Sequence, residues 1–146
     1  MMDSTLEPTT RLSRTDAILR GATVVFLVAL LVHGADHARR GFDAVTPEVM
    51  WAGNLQIVLS LVTVVLVFMR HRLAAWFAVG VGFASAFGFT AAHVLPHWSV
   101  FSDSFTGSHP APGVTAFSWF AAAFEILAGL TLGIAGVLAL RAGHDG

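Results

Sequence analysis

The stretch DAILRGATVVFLVALLVHGADH, residues 16 to 37, runs apolar from Gly21 to Val32 and then turns polar at His33, Asp36 and His37. At roughly 1.5 Å of rise per helical residue, such a segment is about 33 Å long, close to the thickness of a bilayer's hydrocarbon core. It has no period-two alternation, and a lone segment in hydrocarbon must satisfy its own backbone hydrogen bonds, so it reads as a transmembrane helix. On that helix His33, Asp36 and His37 stand at i, i+3 and i+4 and project from one stripe at the end of the span. One stretch thus predicts the architecture and a polar cluster within it.

Working outward, three more apolar segments of spanning length follow. The 146-residue chain is 55% hydrophobic and 12% charged, with a mean hydropathy of +0.74, values that soluble domains seldom reach. The expected fold class is all-α, a polytopic membrane protein whose four transmembrane helices, at about 16–37, 49–69, 73–96 and 114–140, form a bundle. Residues 1–15 (MMDSTLEPTTRLSRT) are polar and aperiodic and are expected to be a flexible cytoplasmic segment, and residues 141–146 a short tail. The sequence HGADHARRG after the first segment lacks a small-x-small cleavage pattern, so that segment is expected to remain as a span.

Arginine placement sets the orientation. Arg11, Arg14 and Arg20 precede the first span, Arg70 and Arg72 fill the turn after the second, and Arg141 ends the fourth. All lie on one side, and short arginine-rich segments stay in the cytoplasm. Arg39 and Arg40 argue the other way, but the loop around 97–113 has no basic residue. Both termini are therefore expected in the cytoplasm and the histidines on the outer side. Trp51, Trp98 and Trp119 then fall near the outer interface and Trp76 near the inner one. All eight basic residues are arginine and the net charge is −1, which gives no basic surface for nucleic acid. The expected partners are the lipid bilayer and either further copies of the chain or a larger membrane complex. The arginine-only, cysteine-free composition suits a bacterial plasma membrane.

The absence of cysteine excludes disulfides, thiolate metal sites and iron–sulfur clusters. What remains is imidazole and carboxylate. His33 and His37 on the first span and His93 and His97 on the third both have i, i+4 spacing and approach the same side, with Pro96 near the end of the third helix. Glu125 lies roughly 15 Å into the fourth helix at 1.5 Å per residue, and its helical neighbours Ser118, Ala121, Ala122, Ala128 and Gly129 are small, so it should face the bundle. The candidate metal ligands are thus His33, Asp36, His37, His93, His97 and Glu125. Copper, zinc or iron suits such a set.

His33 and His93 are also candidate axial ligands for haem b, with Arg39 and Arg40 near enough for its propionates. A ferritin-like di-iron centre is not expected, because the spans hold one glutamate and no Glu-x-x-His. Gly129 and Gly133 form a G-x-x-x-G, and Gly82 with Ala86 gives the third span a matching small-residue stripe, so these two helices should approach closely. Asn54 and Gln56 lie on opposite faces of the second span, so only one can point inward. The loop from Trp98 to Gly113 could lie over the histidines as a lid, which would add His109. Two alternatives need no metal: an accessory subunit of a larger membrane complex, or a proton-relaying, pH-responsive protein.

Overall fold

The computed structural model describes residues 8–144, with side chains described over 14–142. Residues 1–7 and 145–146 of the expected terminal segments lie outside the described residues. The described chain is all-helical, and four of its helices are long and apolar enough to cross a membrane. They are α1 (Pro8–Arg40), α2 (Pro47–Phe68), α3 (Ala74–Phe89, continued by a π-helical turn over Thr90–Val94) and α4 (Ala116–His144). The first begins well before the expected Asp16, so Pro8 to Thr15 is helical; the fourth runs on to His144, past the expected 140.

Each helix buries a stripe at alternating steps of three and four residues, the spacing that keeps side chains on one face. On α1 the stripe runs Leu19, Ala22, Phe26, Ala29, His33 and Asp36, all buried. The polar cluster therefore continues the apolar seam rather than sitting beside it. On α4 the stripe is Ser118, Ala122, Glu125, Ala128, Leu132 and Ala135, again buried throughout. Outward-facing Val24, Val28, Leu31, Leu61 and Leu127 remain exposed, as lipid-facing residues do in such a bundle.

Helix α4 packs along both α1 and α3, while α2 touches α1 and α3 more sparsely. The close α3–α4 contact comes from glycine. A Cβ added at Gly129 would meet the Gly82 carbonyl oxygen at 2.8 Å and the Ala86 nitrogen at 3.1 Å, and one at Gly136 would meet the Ala75 oxygen at 2.9 Å. Gly88, further along α3, behaves differently, for a Cβ there meets nothing within 4 Å. Gly129→Leu should therefore force α3 and α4 apart and cost about 3 kcal/mol, the upper end of the range usual for overpacked cores. Gly88→Ala should be neutral or stabilising by up to about 1 kcal/mol. Thermal unfolding of the two variants in detergent checks the contrast, and equal melting temperatures would refute the glycine contact.

The outer turn of α3 is shaped by Pro96. Leu95 donates to Thr90 at 3.2 Å, which closes the wide turn, and then becomes extended, as residues before proline do. Proline has no N–H, so the Ala92 carbonyl four residues earlier has no helical partner. The loop supplies it. Asp103 N–H donates to Ala92 O at 3.0 Å, and Phe105 N–H donates to His93 O at 2.8 Å. Ser102 to Phe105 are consequently buried, folded back against the end of α3.

Candidate metal centre

Two helices bring three imidazoles together. His33 and His37 sit one turn apart on α1, and their Nε2 atoms are 3.1 Å apart. His93 reaches them from the π-helical turn, with ring centroids 4.9 Å from His33 and 6.0 Å from His37. One nitrogen from each ring can be chosen so that all three lie within 4.8 Å of one another. Two nitrogens held about 2.0–2.1 Å from a tetrahedral ion are about 3.3–3.4 Å apart, so the His33–His37 pair is already near chelating distance. Their Nδ1 atoms are buried with no hydrogen-bond partner. Partnerless buried imidazole nitrogens are uncommon, and these two rings meet edge-on at a centroid distance of 4.8 Å.

His93 is oriented by the folded-back loop. Its Nδ1 donates to the Asp103 backbone oxygen at 3.1 Å and lies 3.5 Å from the Asp103 carboxylate, which leaves Nε2 with its lone pair. A carbonyl or carboxylate behind a histidine fixes its tautomer and ring plane for metal ligation. Phe105 covers His93 at a centroid distance of 4.7 Å, and Phe89 meets His33 edge-on at 4.6 Å. The cluster is thus walled by rings and lies under the loop.

The two arginines hold that loop down. Arg40, its side chain fully buried, grips Asp103 with both terminal nitrogens at 2.6 and 2.7 Å and donates to Pro112 O at 3.0 Å. Arg39 donates to Asp36 Oδ1 at 2.8 Å, to Gly113 O at 2.9 Å and to Ser118 Oγ at 3.0 Å. Arg40 is therefore spent inside the protein, while Arg39, partly exposed, gives Nε and one terminal nitrogen to Asp36, Gly113 and Ser118, so haem propionates at either would compete with these bonds.

Of the six residues read as candidate ligands, the structure joins His33, His37 and His93. Asp36 is buried next to them, but its Oδ1 is taken by Arg39 and by the Ser118 hydroxyl at 3.0 Å, so it braces α1 against α4. His97 lies beyond the helix and is exposed, because Pro96 ends the helix before it. Glu125 is fully buried on the α4 stripe, two turns deeper than Ser118, with neither carboxylate oxygen hydrogen-bonded; it is not among the grouped ligands. His109 is exposed and pairs with Ser108. Of the two amides on α2, Gln56 reaches Ser60 and Ser85 while Asn54 is exposed. Asp103 is the residue sequence reasoning missed. The signal was the proline at 96, which frees a carbonyl that the polar loop can bind.

The fold and site define a class: a four-helix bundle of membrane-spanning type with a buried imidazole triad at one end. No protein-family model, curated protein or solved structure matches the chain, so its reading rests on its own geometry.

Proposed function

We propose that the protein is an integral membrane protein that holds one transition-metal ion on His33, His37 and His93. The observation that carries this is the set of three buried imidazoles on two helices, whose nitrogens lie within 4.8 Å of one another. Three nitrogen donors without thiolate favour zinc or divalent copper. Three protein ligands leave a fourth position open, which is the pattern of a reactive rather than a purely structural zinc site. An ion fits better than haem, because His37, Phe89 and Phe105 crowd the space around His33 and His93 that a porphyrin would need. In this reading both termini lie in the cytoplasm and the centre on the extracytoplasmic side, an orientation that the arginine distribution supports.

The test is metal content. Protein purified in detergent after growth with zinc, copper, iron and haem should carry one ion per chain and no haem absorption. Imidazole must be neutral to bind, so loading should be complete at neutral pH and be lost on strong acidification. Protein that is metal-free after such growth, and that takes up neither zinc nor copper on dialysis, would overturn the proposal.

A further inference from the structure

In the half of the bundle that carries the triad, α2 stands off from α1 and α3 and leaves a cavity of about 460 Å³. The three histidines form one wall of it, Leu30, Ile57 and Phe87 line its apolar part, and Phe42, Trp98 and Phe101 reach it from the two loops. This size lies within the roughly 300–1,000 Å³ usual for small-molecule sites, as does the pairing of apolar walls with a few convergent polar groups. At the roughly 30 Å³ that a water-sized group occupies in a liquid, the cavity holds about fifteen chain atoms. It lies between spanning helices, so the molecules that reach it most readily come sideways from the bilayer.

The charges around it select the headgroup. No Asp, Glu or Arg lines the cavity. Behind the triad, Asp36 and Asp103 are matched by Arg39 and Arg40. A divalent ion on three neutral imidazoles would therefore keep its charge uncompensated in a medium of low dielectric, where an anionic oxygen on the open position is strongly favoured. Glu125 is not among the lining residues, so it does not offer that oxygen from the cavity side.

We infer that the cavity binds a single-chain fatty carboxylate, with its tail along the apolar wall and its carboxylate on the open position of the ion. The inference rests on the metal-site reading given above. Gly88 and Gly53 provide the means to test it, because both line the cavity and a Cβ at either meets nothing within 4 Å. Neither glycine is a ligand, and a larger side chain at either position has room to enter the cavity.

Divalent cobalt is the probe, since its visible absorption changes with its fourth ligand. Cobalt-loaded protein in detergent is titrated with dodecanoate, dodecanol and acetate, alongside Gly88→Phe and Gly53→Phe. Dodecanoate should shift the cobalt bands at total concentrations at least about tenfold below acetate, and dodecanol should not shift them. Both variants should bind cobalt with the wild-type spectrum yet lose the preference for dodecanoate over acetate. If cobalt does not bind, the metal-site reading fails. Given bound cobalt, the cavity inference alone is overturned if dodecanoate leaves the bands unchanged, if acetate or dodecanol does as well, or if both filled variants keep the preference.

Discussion

His33→Ala is expected to reduce bound metal from one ion per chain to background, and His93→Ala to do the same. Each change removes a third of the donor set. Residues that merely orient a metal ligand are worth roughly 10–100-fold in affinity, so losing a ligand should cost more than about 100-fold. His33 and His93 come from different helices, and the two losses should therefore match if one ion bridges α1 and the end of α3. His97→Ala and His109→Ala should leave occupancy unchanged, because both residues are exposed and outside the cluster. Metal analysis of the four variants decides the matter. Full occupancy in His93→Ala would mean that no ion joins the two helices.

Asp103→Ala should produce the largest loss of stability among single changes outside the helix contacts. The Arg40 side chain is fully buried and its two terminal nitrogens are both held by this carboxylate. Removing one partner of a buried pair typically costs about 3–5 kcal/mol, because the remaining charge is left without solvent, here with only the Asp36 carboxylate 4.0 Å away. For a chain of this size that corresponds to a fall in Tm of roughly 10 °C. Replacing both partners with apolar residues, Arg40→Met with Asp103→Leu, should recover much of the loss, since the buried Asp36 keeps Arg39 and no buried charge is left unpaired. The single variant should also loosen the loop over His93 and weaken metal binding by roughly tenfold. Differential scanning of the single and double variants tests the pair. A single variant that melts with the wild type would show that Arg40 reaches solvent or another partner.

The spans were legible in the sequence because length and hydropathy are properties of a segment taken alone. The i, i+4 spacing of His33 and His37 was legible for the same reason, since helical geometry fixes it locally. Gly129 and Gly133 could be read as a contact surface, although only the packed structure separates Gly82, pressed against α4, from Gly88, which faces the cavity. The roles of the charged residues were not legible. Asp36 and Asp103 have similar chemistry, and whether each meets an imidazole or an arginine depends on how α1, α4 and the loop come together.

The sequence by itself determined four apolar helices, an imidazole pair at the end of the first and a third histidine near the end of another, because local periodicity and the energetics of hydrocarbon leave few alternatives. Only the tertiary structure decided that His93 completes the set while His97 does not. Pro96 ends the helix between them, frees the Ala92 carbonyl, and so draws Asp103 and Phe105 in behind and over His93. That arrangement depends on a hydrogen bond between residues 92 and 103, a partner choice that no local pattern encodes.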